Sequence, residues 1–151
     1  MAKWPLSPHM QRALELARAA AALGEVPVGA VVVKHGAVVG EGHNRTRIDS
    51  DPTAHAEIVA IRAAAAALGD ERLTGCDLHV TLEPCAMCAG AIAHARLARL
   101  YYGASDLKGG AVENGARVFE QPQCLHVPDV YAGMGEGEAG ELLRRFFRER
   151  R

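Results

Sequence analysis

The sequence predicts an α/β layer sandwich, and three observations lead there. Short apolar or alternating runs of strand type are interleaved with stretches of helical spacing. A chain of 151 residues suits one domain and can bury a real core. No internal repeat, low-complexity tract or linker interrupts it, so residues 1–151 are expected to fold as one unit.

Ser7-Pro8 opens the first helix, with Ser as the cap and Pro at the first helical position. Met10, Ala13, Leu14, Ala17 and Ala21 then recur at helical spacing, and Gly24 fits a C-terminal cap. Val28 to Val33 is a nearly continuous β-branched run, as in a buried strand. His35-Gly36 signals a turn into a second strand over Ala37 to Gly40, which makes a hairpin. Gly42 to Asp51 is polar and reads as a loop. Thr53 is the expected cap of a helix from Ala54 to about Leu68, closed by Gly69. Leu78, Val80 and Leu82 alternate with His79 and Thr81, the pattern of a third strand. Glu83-Pro84 starts a helix running through about His94, and Leu97 to Gly103 is a fourth strand. Ala104 to Gln123 is expected to be mostly loop. Cys124 to Val127 is the candidate fifth strand, Gly133 to Gly140 is loose, and Glu141 to Arg150 is a last helix.

The composition, 49% hydrophobic and 23% charged, is that of an ordinary soluble globular protein. No run of about 18 uncharged apolar residues is present, so no spanning helix is expected. Met1 to Pro8 lacks an apolar core segment, so a secretory signal is not expected and a cytoplasmic setting is the default. Four cysteines could form two disulfides, but Cys85-x-x-Cys88 has metal-ligand spacing and the chain is not a small secreted scaffold. A net charge of -1 argues mildly against a nucleic-acid binder. Against that, Arg144, Arg145, Arg148, Arg150 and Arg151 crowd the last eight residues; such a run is also common at a solvated helix end.

The chemistry is concentrated in Thr53-Ala54-His55-Ala56-Glu57 and Glu83-Pro84-Cys85-Ala86-Met87-Cys88. His55, Cys85 and Cys88 offer one imidazole and two thiols, a donor set that suits zinc; a catalytic zinc keeps its fourth corner for water. Each ligand falls in the first turn of its predicted helix, where the partial positive charge lowers thiol pKa values. Glu57 is an extra carboxylate that need not be a ligand, and it is the candidate proton carrier for the water at such a site. The bland alternatives are a closed structural site completed by Cys76 or Cys124, and a Glu57 that merely suits a helix start. Cys76 and Cys124 are otherwise expected as buried thiols, and His79, His94 and His126 as packing or surface residues.

The H-x-E and P-C-x-x-C strings are the signature of zinc nucleobase deaminases. With Gly24-Glu25-Val26-Pro27-Val28-Gly29-Ala30, Asn44-Arg45, Tyr102 to Lys108 and the tail Leu142-Leu143-Arg144-Arg145-Phe146-Phe147, the chain resembles the bacterial tRNA-specific adenosine deaminases over nearly its whole length. That resemblance implies a cytidine-deaminase-like three-layer α/β/α sandwich with a five-stranded mixed sheet. It implies one Zn2+ per subunit held by His55, Cys85 and Cys88, with Glu57 catalytic. It also implies a homodimer that deaminates adenosine to inosine at the wobble position of a tRNA anticodon. Asn44 and Ala56 match positions that contact the target nucleoside, and Asp106 one near the RNA backbone. Without the family, Asn44 reads equally as a turn residue beside Gly42. Val26-Pro27-Val28 is either pocket wall or the start of a core strand. Of Phe146 and Phe147, adjacent on a helix, one is expected to pack and the other to meet a partner or stack on a base.

The chain departs from the family pattern at Gly109-Gly110-Ala111-Val112-Glu113-Asn114-Gly115 and from Gln121 to Met134, which bears on RNA recognition rather than on zinc chemistry. Two other readings compete: a deaminase of a free base or nucleoside such as guanine or cytosine, and a zinc-stabilised, non-catalytic RNA-binding protein. Intact Glu57 counts against the second.

Overall fold

A computed structural model describes residues 6–150. Met1 to Pro5, part of the segment read for a secretory signal, and Arg151 of the terminal arginine cluster lie outside the described residues. Four helices, α1 (Pro8–Ala22), α2 (Ala56–Leu68), α3 (Ala86–Ala95) and α4 (Glu136–Glu149), sandwich a five-stranded sheet. Its strands are β1 (Gly29–Lys34), β2 (Ala37–His43), β3 (Cys76–Leu82), β4 (Arg99–Ala104) and β5 (Asp129–Tyr131), in the order β2-β1-β3-β4-β5. β1 runs antiparallel to β2 and β3, while β3, β4 and β5 are parallel. The sheet is thus mixed, as the family resemblance implied.

Strand alternation assigns the two faces. Ala30, Val32, Leu78, Val80, Leu100 and Tyr102 point to one side and pack with Ala56, Ala60 and Ala64 of α2 and with Ala89 and Ile92 of α3. Val31 and Val33 point the other way, onto Leu16 of α1. Met10, Ala13 and Leu14 of α1 join Ala139 of α4 beside them. The alanine stripe of α2 lets that helix lie close on the sheet, and Gly40 and Gly42 of β2 face it without side chains.

Local signals explain most boundaries. The Ser7 hydroxyl accepts the Met10 N–H at 3.1 Å, as its cap role predicts. His35 and Gly36 both adopt positive φ, 51° and 79°, the requirement of the tight turn between β1 and β2. That second strand continues past Gly40 to His43, absorbing the start of the expected loop. Gly69 closes α2 in the left-handed conformation at φ 65°.

Three expectations need correction. Thr53 does not cap α2: its hydroxyl donates to Asp51 Oδ1 at 2.7 Å, and His55 takes the cap position without a side-chain cap bond. The fifth strand is Asp129–Tyr131 and not Cys124 to Val127. The earlier segment is tied down locally, by the Cys124 thiol on the His126 carbonyl and the His126 ring on the Leu97 carbonyl, and Leu125 and Val127 face outward. Pairing with β4 begins only where the Asp129 N–H reaches the Ala98 carbonyl. The last helix starts at Glu136, five residues before the expected Glu141. Ala139 is buried against α1, and Glu136 and Glu138 suit the positive end of the helix, so tertiary contact and dipole outweigh two glycines.

Candidate active site

The N-termini of α2 and α3 meet at the carboxyl end of β3. His55 is the cap residue of α2 and Cys85 that of α3, while Glu57 and Cys88 lie in the first turns behind them. His55 Nδ1 is 3.5 Å from Cys85 Sγ and 3.5 Å from Cys88 Sγ. All three donor atoms lie within 4.8 Å of one another. Bond lengths of about 2.3 Å to sulfur and 2.0–2.1 Å to nitrogen, at tetrahedral angles, put nitrogen and sulfur roughly 3.6 Å apart, so this donor set fits zinc. Among the described residues neither Cys76 nor Cys124 joins the group, and all four cysteines are free thiols. His79, His94 and His126 also lie outside it.

Electrostatics mark the same spot. A hydrogen bond from Cys88, helped by His55, pulls the Cys85 thiol down to about 4 against the effect of burial. Its counterpart Cys88 is pushed up, because it supplies that hydrogen bond and is itself buried. The bond to Cys85 raises His55. The protein therefore stabilises one anionic sulfur here, that of Cys85, with Cys88 as its hydrogen-bond donor. Glu57 is 4% exposed, and burial pushes its carboxyl up to about 7. A carboxyl with that value can accept and release protons near neutral pH.

A cleft of about 310 Å³ opens over these groups. Its wall contains Asn44, His55, Ala56, Glu57, Cys85 and Asp106, and of the expected metal ligands and nucleoside-contact residues it lacks the more deeply buried Cys88. Val26 and Val28 line it too, and both pack on the main core, so the two readings of that run hold together. A smaller cavity of about 220 Å³ lies at the far end of α3, where His94, Cys124 and His126 form no metal-ligand group among the described residues.

Asn44 is 7% exposed, with its amide nitrogen 3.4 Å from Glu25 Oε1 and 3.5 Å from Thr46 Oγ1. Asp106 caps its own turn by accepting the N–H groups of Lys108 and Gly109 at 3.1 and 3.0 Å. Sequence reasoning missed Glu25 and Glu83 as organisers of the cleft. Burial alone would raise the Glu83 pKa, but hydrogen bonds from Asp106, Asn114 and Val112 outweigh it and hold the carboxyl below its usual range. Each stands beside a motif without matching any ligand spacing, so only the fold reveals them. The α4 tail separates its two aromatics as expected: Phe146 is buried with Arg150 over its ring, and Phe147 is 47% exposed.

Comparison with known proteins agrees with this geometry. The family model of the MafB19-like deaminases matches residues 7–151. The tRNA-specific adenosine deaminase of Agrobacterium fabrum is 61% identical over 142 residues, covering 94% of this chain and 93% of that protein. A solved structure from studies of A-to-I editing by tRNA:A34 deaminases at the wobble position of transfer RNA superposes with a TM-score of 0.88 at 59% identity, covering 89% of this chain and 98% of that one. A guanine deaminase from Nitrosomonas europaea superposes with a TM-score of 0.76 at 26% identity, over 95% of this chain and 86% of that one. The chain belongs to the MafB19-like deaminase family, in its tRNA-specific adenosine deaminase branch.

Proposed function

We infer that this protein converts adenosine to inosine, hydrolytically, at the wobble position of a tRNA anticodon. The observation that carries the reading is 61% identity along nearly the full length of a tRNA-specific adenosine deaminase, together with a His-Cys-Cys cluster under an open cleft. His55, Cys85 and Cys88 hold one Zn2+ per subunit. Bound there, the ion supplies the Lewis acidity that makes a water molecule reactive at neutral pH.

Glu57 does the proton work. Its carboxylate takes a proton from the attacking water as oxygen bonds to the amine-bearing ring carbon. It returns that proton to the neighbouring ring nitrogen, and the proton of the new hydroxyl on the attacked carbon then goes to the amine, which leaves as ammonia while the carbonyl forms. Water and adenosine thus give inosine and ammonia, with no oxidant or reductant involved. Asn44, held at the cleft wall, donates and accepts along the purine edge. The backbone at Ala56 meets the base at the start of α2, and the Asp106 loop lies along the RNA backbone.

An anticodon loop is single-stranded, so placing its base in the cleft costs little compared with opening a duplex. Arg144, Arg145 and Arg148 on α4, with exposed Phe147, supply phosphate attraction and a stacking face. The working unit is a cytoplasmic homodimer, and residues 1–151 form a single deaminase domain. The test is a side-by-side assay of zinc-loaded protein on an anticodon stem-loop and on free adenine, guanine, cytosine and their nucleosides. Inosine in the RNA alone supports this function. Turnover of the free compounds alone overturns it in favour of a small-molecule deaminase.

A further inference from the structure

Two carboxylates that the deamination chemistry does not use are buried on opposite sides of the cleft. Glu83 is 2% exposed and Glu25 is fully buried. Among the described residues neither takes a Lys or Arg side chain as a hydrogen-bond partner; both are surrounded by N–H donors from a distant loop, joined at Glu83 by the Ser105 hydroxyl. Glu83 Oε2 accepts the N–H groups of Val112, Glu113 and Asn114 at 3.0, 3.0 and 3.1 Å. Its Oε1 accepts the Asp106 N–H at 2.9 Å, the Asn114 side-chain amide at 2.7 Å and the Ser105 hydroxyl at 3.4 Å. Glu25 Oε2 accepts the N–H groups of Arg47 and Ile48 at 3.0 and 2.7 Å, and its Oε1 faces the Asn44 amide.

These bonds span 19 to 31 residues of sequence, so they are not local turn bonds. They fix loops to the frame. Glu83 leaves the end of β3 one residue before Pro84, and the Pro84 carbonyl also takes the Ala111 N–H at 2.9 Å. The fit is close: a Cβ at Gly110 would stand 2.5 Å from Glu83 Oε1 and 2.5 Å from the Asp106 carbonyl. Gly110 is therefore the residue whose missing side chain lets this loop close on the carboxylate. Burying a charge without a counter-ion is costly unless donors surround it, and a run of consecutive N–H groups is a suitable cradle. Both pinned loops carry cleft residues, Asp106 and Gly109 on one side and Asn44 and Thr46 on the other.

We propose that Glu83 and Glu25 are positioning residues that brace the two walls of the cleft, the Ser105–Asn114 and Asn44–Ile48 loops, and so set how tightly the target nucleoside is held. The substrate part of this proposal rests on the function inferred above; the bracing does not. Glu83→Gln keeps the size of the side chain but turns amide hydrogens toward a ring of donors. Asn114→Ala removes one donor from the loop and leaves Glu83 and the metal ligands in place.

The experiment combines amide hydrogen exchange, zinc content and steady-state kinetics on the full zinc-loaded chain. In Glu83→Gln, exchange across 105–114 should accelerate about tenfold or more, with zinc per chain unchanged. KM for the anticodon stem-loop should rise by about tenfold while kcat changes far less. Asn114→Ala should shift both readouts in the same direction by a smaller factor, and it carries the test if Glu83→Gln does not fold. Glu25→Gln should loosen 44–48 and leave 105–114 protected. Unchanged exchange in the pinned loop, loosening without a change in KM, or loss of zinc alongside kcat would each overturn the proposal. Failure of the wild type to deaminate the RNA refutes the functional reading instead, and the KM comparison then moves to the free base it does turn over.

Discussion

Gly42 sits in β2 where the strand passes the first turn and a half of α2, the helix that carries His55 and Glu57. A Cβ there would stand 2.7 Å from Val59 Cβ and 2.8 Å from both the Ala56 carbonyl and the Ala60 nitrogen. Ordinary contact starts at 3.4 Å, so helix and strand must part by about 0.6 Å. Two of the three obstacles are backbone atoms, so no rotamer change relieves them. Overpacking of this kind costs about 1–3 kcal/mol, and β2 is an edge strand that can bow outward, which favours the lower half of that range. Any part of the shift taken by α2 moves His55 against two sulfurs that are each 3.5 Å away. A displacement approaching 1 Å can cost about 10²-fold in rate, so Gly42→Ala should lose about tenfold or more in kcat/KM. The assays are denaturant unfolding of the zinc-loaded protein, zinc retention against a chelator, and deamination of the stem-loop. Wild-type stability together with wild-type kcat/KM would refute the claim that close α2–β2 packing sets the geometry of the site.

Other perturbations separate stability from function. His79 is buried, stacked on Tyr101 with ring centroids 4.5 Å apart, and burial holds it down to about 4. Its folded pKa lies below the unfolded value of 6.5, so its contribution to stability is full above pH 6.5 and is lost as pH falls toward 4. The gap corresponds to roughly 3 kcal/mol at most, and His79→Phe should flatten that part of the stability–pH curve, measured as the difference from wild type. An unchanged acid limb would refute the assignment. Phe146→Ala should cost about 3–5 kcal/mol of stability, whereas Phe147→Ala should change stability by less than about 0.5 kcal/mol and weaken stem-loop binding. Equal stability losses in the two variants, or unaltered binding in Phe147→Ala, would contradict the division of roles. Exchange of both Arg144 and Arg145 for Gln should weaken RNA binding uniformly and lower its dependence on salt concentration, as loss of phosphate contacts requires. An unaltered salt slope would exclude them from the interface.

The metal cluster was legible because its geometry is local. His55 and Glu57 are two residues apart, Cys85 and Cys88 three, and each string opens a helix. The first four strands were legible for a similar reason, since β-branched runs and alternation survive without tertiary information. The fifth was misplaced because Cys124 to Val127 has strand composition but its polar groups are taken by Leu97 and by the segment itself. The start of α4 was missed because Gly137 and Gly140 argue against a helix, and only burial of Ala139 on α1 argues for it. Glu25 and Glu83 were read as a motif letter and a helix starter. A lone Glu gives no hint that its donors arrive from a loop about 30 residues away.

The most direct test of the account is Glu57→Gln, assayed for zinc content and inosine formation on the same preparation. The account predicts zinc per chain equal to wild type, because His55, Cys85 and Cys88 are untouched. It predicts deamination lower by about 10²–10⁴-fold or more, because the proton carrier is gone. A zinc-loaded Gln variant that edits the stem-loop at close to the wild-type rate would contradict it.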